Sequence, residues 1–94
     1  MKITLKLLQN KVDFINEATN SPETAYTRTA TGQLIANIGH YHISQAYGGV
    51  ALARIVTSGG GVSMPTNSGH ITKRELCHEL DGFIAAIRHF QPRL

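Results

Sequence analysis

The stretch YHISQAYGGVALARIV, residues 41 to 56, sets two glycines between runs in which bulky and small side chains alternate. Adjacent glycines accept the positive φ angles of a two-residue type I′ turn, so the stretch is expected to form a β-hairpin. With Gly48-Gly49 as the loop, Tyr47 faces Val50 and Ile43 faces Arg54. Tyr41, Ile43, Gln45, Tyr47, Val50, Leu52, Arg54 and Val56 then share one face. His40, His42, Ser44, Ala46, Ala51, Ala53, Ile55 and Thr57 share the other. The bulky face requires cover from helices, whereas the small, more polar face is expected to meet solvent or a partner.

Two segments can supply that cover. In residues 5 to 18, Leu5, Leu8, Val12 and Ile15 recur at helical spacing, widened by Leu7 and Phe14, with Thr4 as N-cap and Asn20-Ser21-Pro22 as the stop. Near the other end, Thr72-Lys73-Arg74-Glu75 has the form of a capping box. Leu76, Leu80, Phe83, Ile84 and Ile87 follow at helical spacing until Pro92, which predicts a helix over about 73 to 90. Residues 25 to 38 hold Thr, Tyr and Ile around Thr31-Gly32 and predict a first hairpin. Residues 58 to 70, with four glycines, a proline and three serines, predict a loop. The expected fold is therefore α+β: an antiparallel meander of about four strands, with an N-terminal and a C-terminal helix packed on one face.

Ninety-four residues suffice for one domain, 1 to 94, and no repeat or linker divides them. Hydrophobic residues at 41% against 16% charged place the chain among globular proteins. The net charge of +3 is spread from Lys2 to Arg93, and the longest basic run is Lys73-Arg74, so the basic stripe typical of a nucleic-acid binder is not visible in the linear sequence. A lone Cys77 excludes an intramolecular disulfide and suits a reducing compartment. No apolar run approaches the roughly 20 residues of a membrane span. The N-terminal stretch, with Lys2, Lys6 and Lys11 among its apolar residues, does not read as a signal peptide, so the expected location is cytoplasmic.

Five histidines raise the question of metal chemistry. His40 and His42 sit two apart on one strand face, and His70 in the long loop could add a third imidazole. No Cys, Asp or Glu nearby completes a recognisable metal spacing, so the expectation is no metal site and no cofactor. His78 and His89 share a helix face but stand about 16 Å apart along its axis. Cys77, next to the apolar stripe of the last helix, reads as a small core residue. No Ser/His/Asp set has a defining spacing, and Gly59-Gly60-Gly61 lacks the Gly-Lys-Ser/Thr of a P-loop. The start of the last helix offers exposed N–H groups beside Lys73 and Arg74, yet Glu75 and the capping box compete for the same donors.

The residues from Tyr41 to Ile87, as YHISQAYGGVALARIV, GGGVS and TKRELCHELDGFIAAI, resemble small uncharacterised proteins of phages and prophages. That resemblance implies a mobile-element origin and a bacterial cytoplasm, and it brings no active site. The order helix, strands, helix also resembles the double-stranded RNA-binding domain, whose second helix opens on lysines that contact phosphates. Lys73-Arg74 stands at the matching place, but Glu75 follows directly and a fourth strand is expected here.

Three functions follow, in order of support. The first is a small noncatalytic accessory protein that binds another protein or a second copy of itself. It would use the small face around His40, His42, Ala51 and Ala53, with homodimerisation through that face or an unpaired strand edge as a variant. The second is nucleic-acid binding through Arg54, Lys73, Arg74 and the glycine loop. The third is a metal enzyme built on His40, His42 and His70. No membrane partner and no catalytic residue are expected.

Overall fold

The computed structural model describes residues 2–66 and 69–90. Helix α1 spans Leu5–Ala18, followed by β1 (Tyr26–Arg28), β2 (Leu34–Ala36), β3 (Tyr41–Ala46), β4 (Gly49–Ile55), β5 (Val62–Ser63) and helix α2 (Lys73–Phe90). The fold is α+β, as expected, but its five strands form two antiparallel sheets, β1-β2 and β3-β4-β5, in place of one four-stranded meander. The fifth strand lies in the segment read as a loop; Asn67 and Ser68 of that segment, and Pro92, lie outside the described residues.

Both helix starts follow their caps. The Thr4 hydroxyl accepts the Leu7 N–H at 3.1 Å. At α2, Glu75 N–H donates to Thr72 Oγ1 at 3.1 Å while Thr72 N–H donates to Glu75 Oε1 at 3.2 Å, the reciprocal pair of a capping box. Helix α1 ends at Ala18 with Thr19 as its cap, and one residue beyond the cap Asn20 takes φ 56°. Asn20 N–H then donates to Glu17 C=O and Ser21 N–H to Asn16 C=O, a Schellman closure ahead of Pro22.

The hairpin is present, but its turn is Tyr47-Gly48, one residue earlier than the glycine pair suggests. Tyr47 (φ 55°) and Gly48 (φ 73°) occupy the two left-handed positions of the type I′ turn, and Gly49 is the first residue of β4. The register is therefore Tyr41↔Arg54, Ile43↔Leu52 and Gln45↔Val50, not Ile43 opposite Arg54. This is a two-residue shift, which leaves the paired side chains on their expected faces because the strand period is two, while Tyr47 leaves the strand for the turn. Gly49 is required for a different reason: a Cβ there would lie 3.0 Å from His70 C and Ile71 O. At this point Ile71 crosses β4 and exchanges both backbone hydrogen bonds with Val50 at 2.8 Å.

The bulky face packs as expected. Leu8, Val12 and Ile15 of α1, Leu76, Cys77 and Leu80 of α2, and Val50 and Leu52 of β4 form the buried core, with Tyr41, Ile43, Phe83, Ile84 and Ile87 against it. The helices are joined at the surface by Lys11 Nζ and Asp81 Oδ1 at 2.5 Å, and by Arg88 placed 5.0 Å from the Phe14 ring centroid.

The opposite face departs from expectation. Ala51, Ala53 and Ile55 are fully buried within the chain, so this face does not meet solvent. Flanking segments are tied to it: His40 Nδ1 donates to Pro22 C=O at 2.8 Å, and His70 Nε2 lies 3.0 Å from Ser44 Oγ.

Candidate functional site: the free edge of β3

The histidine cluster is mostly interior. His40 is buried, and its ring stacks against that of His42 at 6.0 Å and 12°. Because a carbonyl only accepts, the bond to Pro22 puts the His40 proton on Nδ1. His42 is half-buried, and its Nδ1 is shielded from solvent without a hydrogen-bond partner. Burial, and then the neighbouring His40, hold the His42 pKa below its ordinary value, so the ring is neutral at neutral pH. His70 is held between Ser44 and the edge of the Tyr47 ring, 5.7 Å away. Among the described residues no three His, Cys, Asp or Glu side chains come together closely enough to hold a metal ion.

The basic candidates are dispersed. Arg54 lies 5.8 Å from the Tyr41 ring centroid, a cation–π contact on the helix side of the sheet. Lys73 stands at the start of α2 beside the hairpin turn, in a shallow hollow with Gln45, Gly48, Gly49 and Ile71. Arg74 follows in the first turn of α2. The capping box places the Glu75 carboxylate at that helix start, and the bonds with Thr72 hold its pKa below its ordinary value. An incoming anion would meet that negative charge and two donors already in use.

A different feature has the geometry of a site. Among the described residues, strand β3 is at the edge of its sheet and pairs with β4 alone. Counting back from the Ala46↔Gly49 pair that closes the turn, Ser44↔Ala51 and His42↔Ala53 are the hydrogen-bonded pairs. The N–H and C=O groups of Tyr41, Ile43 and Gln45 therefore point away from β4. Tyr41 confirms the alternation: both its backbone groups are taken by one side chain, with Tyr41 N–H donating to Asn16 Oδ1 at 2.8 Å and Asn16 Nδ2 donating to Tyr41 C=O at 3.0 Å. Asn16 is buried and reproduces with its amide the bonding of an adjacent strand.

Beyond Tyr41 the clamp ends. Ile43 and Gln45 have no outward backbone partner among the described residues. Alongside them the N-terminal half of α1 leaves an open cleft of about 420 Å³, lined by Leu5, Lys6, Gln9, Asn10, Ile43 and Gln45. The cleft thus combines unpaired strand backbone, two apolar side chains and one cation. Asn16 had a signal in the sequence, since it follows Val12 by four residues and so falls on the apolar stripe of α1. The open edge had none, because it depends on which neighbour β3 lacks.

Among the described residues no helix is long and apolar enough to cross a membrane. No protein-family model, no curated protein and no solved structure matches this chain.

Proposed function

We propose that this protein is a noncatalytic binding module that takes up an extended segment of another protein as an added strand along β3. The observation that carries this reading is the pair of unpartnered residues at the sheet edge, Ile43 and Gln45, beside an open cleft against the N-terminal half of α1. Each contributes one donor and one acceptor, so an incoming strand gains up to four backbone hydrogen bonds. The Leu5 and Ile43 side chains give it an apolar seat. Natural proteins protect open edges with bulges, charges or covering elements, and here one end is covered by Asn16 while the other is left free.

The surface thus differs from the one suggested by the small residues. Ala51 and Ala53 are interior to the chain, His40 and His70 are tied to Pro22 and Ser44, and His42 stacks on His40. A bacterial cytoplasmic setting, and an origin in a phage or prophage, are what the likeness of Tyr41 to Ile87 implies for such a module.

Selection from a random peptide library tests the reading, with the wild-type protein and the Gln45→Pro variant as parallel baits. Proline at Gln45 removes only the outward N–H and fills its place with a ring, a change an edge strand tolerates. Extended peptides retained by the wild type and weakened at least about tenfold by Gln45→Pro are expected, the loss of a central hydrogen bond together with a steric block. Peptides that bind both baits equally would contradict strand addition.

A further inference from the structure

Taking strand addition at β3 as its basis, we infer that the segment this edge accepts is acidic. Gln45 lines two adjacent hollows: the cleft against α1, which holds Lys6, and the hollow at the hairpin turn, which holds Lys73. Neither lining contains a carboxylate. The acid nearest to Lys73 in sequence, Glu75, is bound to Thr72 through both halves of the capping box. Lys11 pairs with Asp81, whereas Lys6 and Lys73 have no carboxylate partner among the described residues. A strand laid along Ile43 and Gln45 therefore lies beside Lys6 in the cleft, with Lys73 across the hairpin at the far side of β4. Side chains of an extended peptide alternate, so apolar residues directed to the Leu5 and Ile43 seat would be interleaved with carboxylates that reach Lys6.

The same observations disfavour a second copy as the occupant. Asn16 limits the free edge to two residues, far short of the roughly 1,000 Å² that a stable interface buries. Self-pairing would also bring two lysine-bearing rims together. Nucleic acid shares the charge preference but offers no strand of amides to pair with Ile43 and Gln45.

The test uses fluorescein-labelled, end-capped peptides and anisotropy with the intact protein. The peptides are Glu-Val-Glu-Val-Glu, its Gln and Lys counterparts, and the acidic peptide N-methylated on its central amides. The acidic peptide is expected to bind about tenfold more tightly than the Lys peptide. It should weaken in Lys6→Glu and less in Lys73→Glu, both surface changes, and lose binding on N-methylation. Equal affinity for all three unmethylated peptides would overturn the acidic preference while leaving strand addition intact. Unchanged binding of the methylated peptide would overturn strand addition and leave a purely ionic attraction. Displacement of the acidic peptide by an equimolar oligo-dT would transfer the site to nucleic acid, and no binding of any peptide up to about 1 mM would overturn both readings.

Discussion

The two ends of the β3 edge meet opposite fates. At Tyr41 a buried asparagine from α1 satisfies both outward backbone groups, and the adjoining His40 is fixed to Pro22. Two residues further on, the same row of groups lies beside an open cleft and has no partner among the described residues. The chain thus possesses a device for closing a strand edge and applies it at one end only. Closure belongs to stability, since an unpaired buried amide costs about 1–3 kcal/mol, and the open end is where binding has something to satisfy.

Removing the clamp has the largest expected effect. Asn16→Leu keeps the volume but leaves the Tyr41 N–H and C=O unpaired, and should lower stability by about 3 kcal/mol in urea denaturation. A loss under about 0.5 kcal/mol would mean the two ends do not differ.

Next is the turn beyond the open end. Tyr47 is 97% exposed and holds φ 55°, a conformation that disfavours a non-glycine residue by about 1 kcal/mol. Tyr47→Asn should raise stability by about that amount in thermal denaturation. If stability falls instead, the Tyr47–His70 ring contact outweighs the backbone strain.

At the open edge itself, Gln45→Pro should change stability by less than about 0.5 kcal/mol, because the lost N–H has no partner in the free protein. A larger loss would show that this amide is bonded after all.

The smallest effect is the pH response of the clamped end. The His42 pKa is lower in the folded chain than its ordinary value of 6.5, so the unfolded chain binds the proton more readily. The contribution of His42 is full above pH 6.5 and is lost as pH falls below that value toward the folded pKa. The melting temperature of the wild type should therefore fall more between pH 7.5 and 5.5 than that of His42→Gln, and parallel curves would contradict this.

Much of the fold was legible in the sequence, because caps and turns are local. Thr4, the Thr72 to Glu75 box and Thr31-Gly32 each act within a few residues, and the elements they delimit are present. The glycine pair misled by one position: Gly48 serves the turn, whereas Gly49 serves the approach of His70 and Ile71, residues distant in sequence. Ala51 and Ala53 misled for the same reason, since small side chains suit an exposed face and a closely covered one alike. The candidate site was illegible because an edge is defined by the strand that is missing beside it.

The most direct test is residue-resolved amide exchange on the free protein. Within β3, the Tyr41, His42 and Ser44 amides should exchange slowly and the Ile43 and Gln45 amides fast. That alternation would establish an edge clamped at one end and open at the other. Uniform protection from Tyr41 to Gln45 would mean that the edge is already covered, and strand addition there would be wrong.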